Sequence, residues 1–321
     1  MIAPTEPLDA APPSGALVPL FVATLCASSL LMFAVEPIVA KTVLPILGGT
    51  PMVWNTCVLF FQILLLGGYA FAHASTAWLS RRECGAAYAL VLVLPLAVLP
   101  FSVGAGAEPP AEGNPIGWLL LVLARSIGLP FFALAATAPM LQRWFADTDH
   151  RSARDPYFLY AASNVGSFVA LIAYPTIVEP ALPLREQNSY WAVAYGAFVV
   201  AACLAMIVAW RRRTGTNAAA ASAEPDDARD APGLTWTRRA TWIALAFVPS
   251  SLMLAVTTYF STDIAPVPLF WIAPLALYLL TFVAAFSARS ASLQAIADRF
   301  MPLVVLPLVA LMIAGAGISL W

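Results

Sequence analysis

Glu36 and Arg125 are the two residues whose type and setting most invite chemistry. Each stands inside a long apolar run, and an ionisable group at a helix centre in a bilayer costs at least about 2.5–3.5 kcal/mol. Such groups persist where they pair, reach the interface, or serve a solute or a proton. The two are expected to pair across their helices, either as a buried structural pair or as part of a substrate or proton pathway. Lys41 follows Pro37 and precedes Pro45, so its helix is expected to kink or break near that end; its ammonium is read first as reaching the headgroups and second as part of the same substrate or ion pathway. Asp263 closes the polar cluster Thr257, Thr258, Ser261 and Thr262, and it either lines the same pathway or caps the next helix.

Three uncharged residues form a second group. Asn55 and Gln62 are seven apart, hence on one helical face, and Asn164 precedes Gly166 and Ser167. Hydrogen bonding between helices is the first reading for all three, and ligand binding the second. Asp147, Asp149 and His150 alternate in LQRWFADTDHRSARDP, which reads as a solvated loop with Trp144 and Phe145 at the interface rather than as a metal site. The four cysteines show no CxxC spacing and there are two histidines, so neither a disulfide framework nor a metal centre is expected. No glycine-rich strand-to-helix loop occurs, so no catalytic residue and no cofactor are assigned; Gly67 and Gly68 read as close helix packing.

These residues have to be positioned by membrane helices. Of 321 residues, 61% are hydrophobic and 10% charged, against roughly 25% charged in soluble domains. That composition builds no water-facing surface and argues against nucleic acid as a partner. A hydrocarbon core about 30 Å thick needs about 20 apolar residues in a helix. Approximate spans fall at 17–40, 52–73, 86–103, 117–140, 157–178, 190–210, 241–260, 265–286 and 301–321. Only helices suit, since lipid satisfies no exposed backbone group. The fold class is therefore all-α, a polytopic transmembrane bundle of about nine helices.

Charge gives the bundle an orientation. With a cytoplasmic N-terminus, only Arg185 of the 16 Lys and Arg falls outside, Lys41 and Arg125 lie in or near the membrane, and the remaining thirteen lie inside. Glu36 then sits roughly 24 Å from the inner boundary and Arg125 roughly 12 Å deep from the outer one, both in the outer half. Residues 1–15 read as a disordered cytoplasmic tail, 16–210 as a six-helix bundle, 211–239 as a flexible cytoplasmic linker, and 240–321 as the first three helices of a second bundle. A shift of 221 positions aligns LMFAVEPIVAKTVLP with LMLAVTTYFSTDIAP, which sets the first helix opposite the seventh. Six helices, an inner linker and a second copy is the layout of carriers built from two parallel halves.

The stretches VEPIVAKTVLPILGGTPMVWNTCVLFFQILLLGGYAFAH, GLPFFALAATAPMLQRWFA, DPYFLYAASNVGSFVALIAYPTIVEP and FVPSSLMLAVTTYFSTDIAPVPLFWIAPLALYLLTF closely resemble a bacterial family of fused membrane proteins. Its members join a major-facilitator-like membrane portion to a spermidine-synthase-like domain. The resemblance implies a major-facilitator-like fold, an inner-membrane location, and an aminopropyltransferase-like enzyme domain after the membrane helices. No residue of that domain is carried onto this sequence, which resembles the membrane portion cut short within its second half. The resemblance leaves two functions open: transport of a small, polyamine-like solute, or a structural anchor that holds the enzyme domain at the lipid bilayer.

Overall fold

The computed structural model describes residues 16–48, 50–103, 114–154, 158–212, 235–259, 272–285 and 290–313, together with 109 and 156. The expected tail, most of the expected linker, and Asp263 with Ser261 and Thr262 lie outside the described residues. Among the described residues there are nine helices and no strand. They are α1 Leu17–Leu47, α2 Pro51–Trp78, α3 Arg81–Val93, α4 Pro115–Ala146, α5 Phe158–Ala181, α6 Leu184–Arg211, α7 Trp236–Tyr259, α8 Ile272–Ala285 and α9 Ser290–Ile313. Six of these, α1, α2, α4, α5, α6 and α7, are long and apolar enough to cross a membrane. A chain with this many such helices has the makings of an integral membrane protein.

The helix ends obey local chemistry. Gly48 ends α1 at φ +77°, a backbone state that a residue with a Cβ enters at a cost. Pro51 opens α2, where its missing N–H would have had no partner. Ser80 and Glu83 form a reciprocal capping box at the start of α3. That helix is shorter than its expected span at 86–103: after 13 residues it tightens into a 3-10 turn, Leu94–Ala97, at Pro95. α9 starts well before the expected residue 301.

Of the kink or break expected in the first helix, the break does not occur. α1 runs unbroken through both Pro37 and Pro45, for 31 residues. Each proline removes the bond its N–H would give to the carbonyl four residues back, at Phe33 and Lys41. Leaving the helix altogether would strand more backbone groups in an apolar setting than the prolines do. Val35, Ile38, Val39 and Val43, all buried around the prolines, hold the segment in place.

α1 is the hub of the bundle. It packs most extensively on α5, then on α6 and α4, while α2 lies along α4. Phe21 and Leu25 of α1, Tyr88 of α3, Phe131 and Phe145 of α4 and Tyr195 of α6 are fully buried in one core. Trp144 and Phe145 belong to this core, with Phe145 edge-on to Phe21, and do not lie in a loop as expected. α4 continues to Ala146, so both rings are still on a packed helix rather than in the loop after it. A small second core joins Ile272, Ala276 and Leu279 of α8 to Leu171 of α5, with Phe33 and Trp54 at its edge. α7 and α9 instead present Trp242, Ile243, Phe247, Leu303 and Val304 on the outside, a surface suited to lipid.

Candidate functional site

Helix α5 is interrupted by a π-helical turn, Tyr174–Val178, before its last residues Glu179–Ala181. Such wide turns shift the register of the residues beyond them and are frequent at functional sites. Here the shifted end carries Glu179 against α1, where its carboxylate accepts a hydrogen bond from Lys41 and forms an ion pair with it. Both side chains are mostly buried, at 25% and 31% exposure. Nearby, Tyr174 donates to Gln187 of α6 at 3.0 Å, and Gln187 donates to the Leu182 carbonyl at 2.8 Å. This end of the six-helix unit is thus tied across α1, α5 and α6 by polar side chains. Lys41 is held within this network by Glu179.

The sequence alone does not single out Glu179. Its signal is present: Val178-Glu179-Pro180 repeats the Val35-Glu36-Pro37 triplet of α1. The expected fifth span stops at residue 178, one short of the acid, because a regular helix gives no warning of a π turn.

Glu36 and Arg125 do not form an ion pair. Arg125 lies in a second π-helical turn, Ala124–Gly128 of α4, and its side chain is exposed, while Ile127 and Gly128 face the core. Glu36 is half-buried within the bundle. Its direction is set by helix geometry. Ser29 is seven residues earlier, two turns away on the same face. At that level Gly166 of α5 lies so close that an added Cβ would stand 2.5 Å from the Ser29 hydroxyl and 2.3 Å from the Cys26 carbonyl. The neighbouring Ser28 donates to the Leu134 carbonyl of α4 at 3.2 Å. By that register Glu36 falls on the side of α1 that Gly166 of α5 meets two turns earlier. Among the described residues it has no hydrogen-bond or ion-pair partner.

The uncharged candidates fall on an open face. Asn55 and Gln62 are exposed on α2, in a stripe with Leu59, Leu66, Tyr69 and His73 spaced alternately four and three apart. They make no hydrogen bond to another helix among the described residues. The opposite face of α2 supplies the packing, through Phe60, Phe61 and Gly68, where a Cβ would meet that of Ala135 at 2.6 Å. Asn164 is half-buried on α5 and donates to the Tyr160 carbonyl of its own helix at 2.9 Å. Gly166 and Ser167 beside it face the core. The helix contact in this stretch is made by the glycine's missing side chain, not by the asparagine's amide.

At the other end of the bundle, Asp147 pairs with Arg81 at 2.9 Å. The Asp149 N–H donates to the Arg212 carbonyl, and His150 Nδ1 accepts from the Ser152 N–H at 3.1 Å. Asp147, Asp149 and His150 each make a contact that stitches the loop together. Among the described residues no group of three His, Cys, Asp or Glu is placed to hold a metal. Thr257 is buried near the end of α7, its hydroxyl donating to the Met253 carbonyl at 2.8 Å. No protein-family profile, no curated protein and no solved structure matches the chain.

Proposed function

We propose that this chain is the membrane portion of a carrier for a small organic cation, with Glu36 as the counter-charge that the solute meets. The observation that carries this reading is the state of Glu36. It is a half-buried carboxylate in a membrane-length helix, with no basic partner among the described residues. The two cations expected at a similar depth are otherwise placed: Lys41 is bound to Glu179 and Arg125 points away from the core. A carboxylate kept at that depth needs a proton or a cation, and a pathway supplies either. Resemblance to the fused major-facilitator-like and spermidine-synthase-like family adds a solute class, the polyamines, and sets the chain in a bacterial inner membrane with its N-terminus cytoplasmic. It also supplies the second half of a two-half carrier, of which α7, α8 and α9 would be the beginning.

The test is binding by the purified protein in neutral detergent, titrated calorimetrically with spermidine and with putrescine. Saturable binding lost in Glu36→Gln and kept in Glu36→Asp is the expected result. Equal heats for wild type and Glu36→Gln would remove the assignment.

A second reading, a structural anchor for an aminopropyltransferase-like domain, draws on a different observation. Two of the three charged candidates among the described residues are accounted for without a solute, one by an ion pair and one by exposure. If Glu36 proves equally dispensable, this is the reading that remains.

A further inference from the structure

One end of the bundle gathers arginines from three helices: Arg81 and Arg82 open α3, Arg143 lies in the last turn of α4, and Arg211 and Arg212 end α6. Between these helix ends lies a cavity of about 60 Å³, walled by Thr76, Arg81, Arg143, Trp144, Asp147 and Trp210 among others. We propose that this cavity is a binding site for a phosphate group, with the guanidinium groups of Arg81 and Arg143 as its donors.

The charge balance favours an anion. Two guanidinium groups face one carboxylate, and the Asp147 carboxylate is engaged by Arg81 through a single 2.9 Å contact. Arg143 has no ion-pair partner among the described residues and is exposed. A guanidinium presents a planar fork of N–H donors that matches the oxygens of a phosphate. The indole N–H groups of Trp144 and Trp210 also have no acceptor among the described residues. The volume holds more than one water, and the oxygens of a tetrahedral anion can take the places of those waters.

The cavity is also built rather than left over. Trp210 can wall it because Gly85 of α3 has no side chain: a Cβ there would stand 2.3 Å from the Trp210 ring. Helix ends and two tryptophans at one level mark a membrane interface, where the anionic headgroups of a bilayer present their phosphates. The phosphate can therefore come from a lipid headgroup or from free inorganic phosphate.

The experiment measures lipid retained by the full chain after transfer from neutral detergent containing phosphatidylglycerol or phosphatidylcholine, with inorganic phosphate as competitor. Wild type is expected to retain phosphatidylglycerol in preference to phosphatidylcholine. Arg143→Gln, which leaves the Arg81–Asp147 pair in place, is expected to bind it about tenfold more weakly, the worth of one charge-assisted hydrogen bond. Arg143→Lys, which keeps the charge but not the fork, should fall between them and serves if the glutamine variant does not fold. Displacement of the lipid by inorganic phosphate would make free phosphate a ligand of the same site; resistance to it would leave the headgroup as the source. Equal retention by wild type and both variants, or no preference for the anionic lipid with no binding of phosphate, would overturn the proposal.

Discussion

The contact between Lys41 and Glu179 shows how much one side chain can do at the end of a helix bundle. Lys41 could turn outward only by leaving Glu179 without its cation in a site where both are mostly buried. Such a pair is asymmetric in its energetics: breaking it by removing one partner costs more than removing both. Lys41→Met is therefore expected to lower stability by about 1–2 kcal/mol, between the values for exposed and fully buried pairs. Adding Glu179→Gln should restore most of the loss. Thermal denaturation in detergent of the two single variants and the double variant checks this, and additive losses would show that the pair is not coupled. Glu36, Lys41 and Arg125 stand out in the sequence because a charge in an apolar run is conspicuous whatever surrounds it. Which charges meet was not legible there, since partner choice depends on register, and two π turns alter the register of α4 and α5 beside the residues concerned.

At the scale of the helices, close contact is made where a side chain is absent. Gly166 lets α5 touch the backbone of α1, and Gly68 lets α2 touch α4. Gly166→Ala has to push apart two helices whose nearest atoms there include a backbone carbonyl, and a loss of about 1–3 kcal/mol is expected. Gly196→Ala in α6, where an added Cβ meets nothing within 4 Å, is the control and should show no loss, because alanine is the better helix former. Melting temperatures in one detergent compare the two; equal losses would contradict the packing described for α1 and α5. Six of the nine expected spans correspond to helices of membrane length, because hydropathy over about 20 residues is a strong signal. Their ends were less legible. α1 passes two prolines that ordinarily stop a helix, α4 carries Trp144 and Phe145 into the core beyond the expected end at residue 140, and α3 gives way to a 3-10 turn at Pro95. Each depends on the neighbours the segment packs against, which no local window contains.

For the molecule as a whole, the helices provide a setting and Glu36 provides a reason to ask for a solute. α1 packs on α4, α5 and α6 and carries a half-buried acid, and the stripe of Asn55, Gln62 and Tyr69 on α2 lies on an open face rather than in the core. That Asn55 and Gln62 share one face of an otherwise apolar helix was visible in their seven-residue spacing. Which way the face turns was not, because a stripe of that period serves helix packing and a water-filled path equally well. The measurement that bears most directly on the account is uptake of labelled spermidine by proteoliposomes that contain the full chain. Wild type is expected to accumulate it above protein-free vesicles, and Glu36→Gln to fall to about the vesicle background, with Glu36→Asp retaining activity. Uptake by Glu36→Gln equal to wild type, or none above background by wild type, would contradict a pathway built on Glu36.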